Sequence, residues 1–298
     1  MSEPAAITLF ILHWNRPREC LRTVECFLSQ GIKFDLTVLD NGSNDKEFSE
    51  LSAGLPNSAK VIRLGSNIGW GPAFNSVLKQ FLCAPDDFCI LAAHDALPQP
   101  KCIELMISAF RNDPSIGILC PEYGDSSVPH FNLLRGTHYL KVESKEPGTI
   151  EPVPFPHGTI MGIRKQCVKE IGLFDERFFA YGDEFDLGLR ARDKGWKTAM
   201  IWGAFVVNPG SWTPDASKGY LFVRNALLLS KKRFGFLLSL FKLLLVIGNT
   251  IRLQIFPASR KGAFYCENFT YVRFIASRDF LLNRFGSVPD SISRLKTK

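Results

Sequence analysis

A chain of 298 residues can bury a sizeable core, as one large domain or a domain with an appendage, and its composition is that of an ordinary globular protein with an aromatic excess led by 25 Phe. Its eight cysteines (Cys20, Cys26, Cys83, Cys89, Cys102, Cys120, Cys167 and Cys266) form no CxxC pair and no zinc-type spacing, which argues for buried, reduced thiols in a cytosolic protein. The net charge of +7 is unevenly placed, with +11 in residues 221–298 and −4 in residues 1–220. A basic appendage on a mildly acidic body calls for an anionic partner, either nucleic acid or a lipid surface.

The opening MSEPAAITLFILHW has an acid where a secretion signal carries basic residues, and its apolar run is short, so no such signal is expected. Ile7–His13 is a short apolar, β-branched run that predicts a buried strand, and Arg18–Gln30 follows with helical spacing. A second strand, Phe34–Leu39, stops at the dense turn signal from Asp40 to Asp45. A short helix, a strand at Lys60–Leu64, the loop Gly65–Pro72, a helix at Ala73–Leu82 and a strand at Phe88–Ala92 come next. The pattern continues with a helix from Cys102 to about Arg111, a strand at Ile116–Cys120, and loops and short strands over 121–157. Gly158–Arg164 predicts a strand, Lys165–Ile171 a short helix, and Met200–Val207 a strand that ends at Asn208-Pro209-Gly210-Ser211. Such alternation predicts an α/β fold with a mostly parallel, Rossmann-like sheet flanked by helices.

Parallel sheets bind ligands outside the carboxyl ends of their strands. Polar residues collect at four such exits: Asn15 and Arg16, Asp40 to Asn44, Asn67 to Gly71, and His94 with Asp95. Each alone reads as a turn. Together they favour a site of nucleotide size.

Between Gly172 and Trp196, an aromatic run (Phe178, Phe179, Tyr181) precedes Asp183, Glu184 and Asp186. Carboxylates against aromatic surface can serve as a catalytic base, because partial desolvation moves an acid toward working pH. The same residues also fit an ordinary helix start, with acids at the N-terminus and an Asp186–Arg190 pair one turn apart. Beyond Tyr220, Leu221–Arg233 predicts a helix closing on Lys231-Lys232-Arg233, and Phe234–Ile251 is strongly apolar. Lys242 leaves uncharged runs of eight and nine residues there, short of a bilayer span. Ser239, Lys242 and Asn249 fall near one helical stripe, which suits a helix in a membrane interface; a helix packed on the body or on a partner subunit is the alternative. Without a nucleic-acid motif or interleaved aromatics, the basic tail is not assigned to nucleic acid. The division expected is a body of residues 1–220 and a helical tail of residues 221–298.

His13-Trp14-Asn15-Arg16, Val38 to Ser43, Asn67-Ile68-Gly69-Trp70-Gly71 with Asn75, Ala93-His94-Asp95, Gly158 to Met161, Gly172 to Phe179 leading to Asp183-Glu184-Phe185-Asp186-Leu187, and Arg224-Asn225 follow one another in this order. Together they resemble family 2 inverting glycosyltransferases of GT-A fold, and within them the rhamnosyltransferase-like branch. The resemblance covers roughly residues 7 to 230. It implies transfer of a sugar, rhamnose first, from a dTDP- or UDP-sugar to a glycan or lipid-linked acceptor in surface polysaccharide synthesis. It further implies Glu184 as base with Asp183 beside it, and Asp40 on the nucleobase. Asn15, Arg16, Asn67, Gly69, His94 and Asp95 would line the nucleotide-sugar pocket, with Arg224 either on the pyrophosphate or holding the tail.

By the same resemblance, Asp95 closes the family's metal motif and would bind Mg²⁺ or Mn²⁺, with Asn208 as a weak second ligand. Three departures stand out. Ala93 and His94 precede the lone Asp95, the acid pair reads Asp then Glu where the family more often has the reverse, and Asn208 stands where many relatives carry His. The implied location is the inner face of the plasma membrane, peripherally bound, with a homo-oligomer left open. Two rivals remain. A nucleotidyltransferase would show a Gly-rich basic loop after the first strand, which His13–Arg18 is not. A catalytically degenerate scaffold or binding module would take the departures at face value.

Overall fold

Strand β1 (Ile7–His13) is buried at all seven positions. Its alternating side chains feed two cores, one on each face of a sheet. Leu9 and Ile11 pack with Cys20, Val24 and Phe27 of α1 (Pro17–Leu28) and Ile103, Met106 and Phe110 of α4 (Cys102–Asn112). Phe10 and Leu12 face the other way, among Phe74, Val77, Leu78 and Phe81 of α3 (Trp70–Phe81) and Leu187 and Ala191 of α6 (Asp183–Asp193). A strand covered on both faces reads as a continuous apolar run, which is why it was legible.

The computed structural model describes residues 6–122, 127–132, 137–210, 213–256 and 268–295. Met1 to Ala5, Ser211, Arg260, Lys261, Cys266, Lys296 and Lys298 lie outside them, and with them parts of the N-terminal, strand-end and basic-tail readings. Two compact units emerge: residues 1–131, 137–174 and 184–209 form the first, and 132–136, 175–183 and 210–298 the second.

The first unit is built on β1, β2 (Phe34–Asp40), β3 (Lys60–Arg63), β4 (Phe88–Ala93), β5 (Leu97–Pro98), β6 (Ile116–Glu122), β9 (Ile150–Pro152), β10 (Ile160–Arg164) and β11 (Lys197–Val207). They run in the order β3-β2-β1-β4-β10-β6-β11-β5, with β9 also on β11. β1 to β4 are mutually parallel, β10 is antiparallel to both its neighbours, and β11 runs parallel to β6. The sheet is therefore mixed but mostly parallel. Register aligns the exits: His13 lies beside Asp40, Asp40 beside Arg63, and Leu12 beside Ala93. Four polar loops thus leave from one edge. Helices α2 (Asp45–Gly54) and α5 (Lys165–Ile171) complete the layers, and β7 (Ser127–Asn132) pairs β8 (Thr137–Val142) as a separate ribbon. Strands as short as β5 and β9 carry no periodicity, so sequence did not mark them individually.

The second unit is helical. α7 (Asp215–Ile255) begins six residues earlier than expected, so position 220 lies inside it, and it is broken at Gly235 (φ 81°, ψ 175°). α8 (Phe269–Leu281) and α9 (Asp290–Ser293) pack on its first half through Val272, Ile275, Ala276 and Ile292. Lys242 was expected to keep this region from spanning a bilayer. Among the described residues, α7 is nonetheless long and apolar enough to cross a membrane by length and composition.

A second difference concerns the polar stripe. On an interfacial helix it would face water; here it faces inward. Ser239 is fully buried, Lys242 Nζ donates to Ala226 O (3.1 Å), and Arg273 donates to Thr250 Oγ1 (2.7 Å) and Asn249 Oδ1 (3.2 Å). The apolar side chains point out: Leu237 is 81% exposed, and Phe241, Leu244, Leu245, Ile251 and Phe274 are all exposed.

Candidate active site

At the β1–β2 edge, polar groups satisfy one another. The Arg16 N–H donates to His13 Nε2 (3.1 Å), so Nδ1 carries the ring hydrogen and donates it to Asp40 Oδ1 (2.8 Å). Ser43 Oγ donates to the same oxygen, its N–H donates to Oδ2 (3.3 Å), and Arg63 Nε stands 3.5 Å from Oδ2. Burial alone would raise the Asp40 carboxyl, but the hydrogen bonds from His13 and Ser43 outweigh it and hold the group below the ordinary carboxylate value. Asp40 is 0% exposed. Its oxygens are spent inside the protein, so the expected nucleobase contact is not what this arrangement presents.

What the carboxylate does is fix the loops around it. Ser43 Oγ accepts the Asn15 N–H (2.8 Å), and Asn15 Oδ1 accepts the Asn44 N–H (2.9 Å), which holds Asn15 in a left-handed conformation (φ 50°). Asn41, also buried, joins the second and third exits: its Nδ2 donates to Asn67 Oδ1 and Gly69 O (3.1 Å each), and its Oδ1 accepts from Ile68 N (3.0 Å). Gly42 (φ 73°) is required between them, since a Cβ there would come within 2.3 Å of the Ser66 carbonyl carbon. Asn15, Arg16 and Asn67 are left half-buried at these exits, and Gly69 is buried. His13, Asn41 and Ser43 are the site residues that sequence reasoning quoted without giving them a role.

The fourth exit carries Asp95, 7% exposed. β5 pairs Leu97 with Val207 of β11, which brings Asn208 to the same edge, and Asn208 Nδ2 donates to Thr159 Oγ1 (3.1 Å). A contact from Asn208 to a cation would therefore use Oδ1. His94 sits edge-on to His13 (centroids 6.2 Å apart), and burial, with His13 nearby, lowers its pKa to about 4, so it is neutral. Among the described residues its buried Nε2 has no hydrogen-bond partner. Among the described residues no three His, Cys, Asp or Glu side chains form a metal-holding group. A cation whose remaining ligands are phosphate oxygens and water needs only one or two protein oxygens, and Asp95 and Asn208 bring a carboxylate and an amide oxygen to this edge.

In the second unit, the backbone before the acid pair is strained. Phe179 (φ 67°), Tyr181 (φ 62°) and Gly182 (φ 104°) are left-handed, and Ala180 N donates to Phe178 O (2.8 Å) across a three-residue turn. Each left-handed non-glycine residue costs roughly 1–2 kcal/mol. The conformation gathers carbonyls, and Asn225 Nδ2 donates to those of Phe178 (2.9 Å), Ala180 (2.8 Å) and Tyr181 (2.6 Å). Arg224, completely buried, donates to Phe178 O (3.1 Å), Arg177 O (3.4 Å) and Asn225 Oδ1 (3.1 Å). Of its two expected roles, the contacts are those of a brace. Asp175 anchors the same segment, bonded to Arg177 and to Lys232 of α7, which hold its carboxyl far below the usual range against the opposing effect of burial.

α6 starts at the end of this turn. Asp183 is 2% exposed and Glu184 is half-buried. Asp186 is taken up by Arg190 (2.8 Å), whose guanidinium also binds the Ile171, Gly172 and Leu173 carbonyls. Asp186 and Arg190 therefore hold the helix in the first unit, as the i,i+4 pairing predicts.

A family model for "Glycosyltransferase like family 2" matches residues 4–221. The chain belongs to that family. Among curated relatives of this glycosyltransferase-family protein are the N-acetylglucosaminyl-diphospho-decaprenol L-rhamnosyltransferases of Mycobacterium tuberculosis strains CDC 1551 / Oshkosh and H37Rv. Each is 27% identical over 201 residues, 57% of this chain and 65% of the relative, so the match spans somewhat less than two thirds of their length. Among solved structures, the Pyrobaculum calidifontis mannosyltransferase PcManGT, in complex with GDP-Man and Mn²⁺, aligns with TM-score 0.60 at 13% identity over 95% of this chain and 89% of that one. GalNAc-T7 with UDP, GalNAc and Mn²⁺ aligns with TM-score 0.61 at 13% identity over 95% and 57%. The fold is GT-A, a mostly parallel sheet flanked by helices with a helical C-terminal region.

Proposed function

We propose that this protein is an inverting glycosyltransferase that moves a sugar, rhamnose first among candidates, from a dTDP- or UDP-sugar to a lipid-linked glycan acceptor. The observation that carries the reading is the paired carboxylates, Asp183 and Glu184, delivered by a braced, strained turn in a chain of this family. Glu184 takes the proton of the acceptor hydroxyl as that oxygen attacks the anomeric carbon opposite the departing diphosphate, and Asp183 stands beside it. Asn15, Arg16, Asn67 and Gly69 line the nucleotide pocket, with His94 in its floor. Asp40 acts one step back, by holding Asn15 and Ser43 in place.

Asp95, helped by Asn208, would hold a Mg²⁺ or Mn²⁺ ion. Such an ion, when bound, would neutralise charge on the leaving diphosphate. Support for a metal comes from the two solved neighbours, both of which contain Mn²⁺. Support for the acceptor and sugar comes from the curated relatives, whose names specify an N-acetylglucosaminyl-diphospho-lipid and L-rhamnose. The outward apolar surface after Gly235 and the +11 tail fit an anionic membrane surface, where a lipid-linked acceptor resides. We place that surface on the cytosolic side of the plasma membrane, in surface polysaccharide assembly.

The thin metal set favours a second reading, a degenerate GT-A fold acting as a membrane-bound binding module. The experiment incubates purified protein with Mn²⁺, an N-acetylglucosaminyl-diphospho-polyprenol and a panel of nucleotide sugars headed by dTDP-L-rhamnose. Transfer by wild type and its loss in Asp95→Ala and Glu184→Ala supports the enzyme. Nucleotide binding without turnover of any donor would establish the binding module instead.

A further inference from the structure

We infer that Asn225, locked by Arg224, is a positioning residue for the reaction: it holds the Phe178–Gly182 turn in the conformation that sets the direction of the acid pair. This rests on the reading of Glu184 and Asp183 as the base. The geometry of the turn is the reason. One amide nitrogen collects three carbonyls, those of Phe178, Ala180 and Tyr181, at 2.9, 2.8 and 2.6 Å. Carbonyl dipoles converging on one point repel one another unless a donor sits between them, and left-handed Phe179 and Tyr181 resist the arrangement further. The turn therefore depends on a donor from outside itself.

Arg224 determines which end of the amide faces the turn. Its Nε donates to Asn225 Oδ1 (3.1 Å), so only Nδ2 is left to point at the carbonyls. The guanidinium is itself held by Tyr220, whose hydroxyl lies 3.4 Å from Nη1 and donates to Asp279 (2.9 Å), which in turn binds Arg278 (2.7 Å). A line of buried polar groups thus runs from α8 through α7 to the turn, and one residue beyond the turn stands Asp183. Without the Nδ2 donor the turn relaxes, and a shift of about 1 Å in a catalytic group costs about 100-fold in rate. The nucleotide pocket is built from other loops and keeps its own bonds.

The test compares wild type, Asn225→Asp, Asn225→Gln, Glu184→Gln and Asp183→Asn in turnover of dTDP-L-rhamnose with the N-acetylglucosaminyl-diphospho-polyprenol, alongside dTDP affinity in Mn²⁺ and thermal unfolding. Asp is isosteric with Asn but opposes the three carbonyls with a carboxylate. We expect Asn225→Asp to lower kcat roughly 100-fold with dTDP affinity within about threefold of wild type. Its activity relative to wild type should rise as pH falls, because a protonated carboxyl regains one donor. Asn225→Gln keeps both N–H groups one methylene out of place and serves if Asn225→Asp does not fold; it should lose kcat with the same unchanged affinity. Wild-type kcat in a folded Asn225→Asp or Asn225→Gln protein, with Glu184→Gln inactive, overturns the positioning role. Full activity in both Glu184→Gln and Asp183→Asn overturns the base reading instead, so the two failures are separable.

Discussion

In the first unit the central strands are apolar on both faces, and polar atoms gather at their carboxyl ends, where His13, Asp40 and Ser43 hydrogen-bond among themselves and Asn41 bonds to Asn67. In the second unit polar atoms lie inside, in the Arg224–Asn225 brace and the seam of Ser239, Lys242, Asn249 and Arg273, while Leu237, Phe241, Leu245 and Phe274 face out. The contrast follows from the surroundings each has to satisfy. Water outside a sheet edge tolerates polar loops and demands apolar burial. A hydrocarbon surround tolerates apolar side chains and requires every polar group to be met internally. We read the first unit as organised for water and the part of the second after Gly235 as organised for lipid.

The comparison can be broken most sharply at the acid pair that follows the strained turn. Glu184→Gln should lower kcat by roughly 1,000-fold at unchanged nucleotide affinity, measured with dTDP-L-rhamnose, because it removes the proposed general base without removing a donor contact. The reverse behaviour, weak binding and normal turnover, would move Glu184 into the donor site. At the first unit's edge, Asp40→Ala should cost about 3 kcal/mol of stability, since it leaves His13 Nδ1–H and Ser43 O–H buried without their acceptor. Urea midpoints measure this; a neutral midpoint with lost nucleotide binding would return Asp40 to the nucleobase.

The outer surface of the second unit is tested by Leu245→Glu with Phe274→Glu. Both positions are exposed, so folding should be retained, while cosedimentation with anionic vesicles should fall roughly 100-fold, a loss of the order of one buried apolar side chain. Unchanged cosedimentation, or a dimer that dissociates in the variant, would assign the surface to a protein partner.

The smallest effect is in pH dependence. His157 donates from Nε2 to Pro121 O (2.8 Å), and burial lowers its pKa from 6.5 to about 4. The unfolded chain therefore takes up a proton first, so stability is full above pH 6.5 and declines as pH falls from 6.5 toward 4. Between pH 7 and 5.5 this amounts to about 1 kcal/mol. Urea midpoints for wild type should shift accordingly, and those of His157→Gln should shift less.

Sequence by itself determined the α/β pattern and the longer strands and helices of the first unit to within a few residues, because strands buried on both faces must be continuously apolar and the turns between them must be polar. It also determined that Asp186 and Arg190 belong to the helix, since an i,i+4 spacing is fixed by helical geometry alone. Only the tertiary structure decided what each polar residue does once it arrives. Asp40 turned inward because His13 from the neighbouring strand lies beside it in register. The stripe of Ser239, Lys242 and Asn249 turned inward where an interfacial helix would have turned it out. Periodicity shows that a stripe exists; which side faces solvent depends on what packs there, here Ala226 and Arg273, far along the chain. The turn before Asp183 is the clearest case. Nothing in Phe178-Phe179-Ala180-Tyr181-Gly182 favours left-handed backbone except the glycine, and its shape comes from one amide more than 40 residues away, at Asn225.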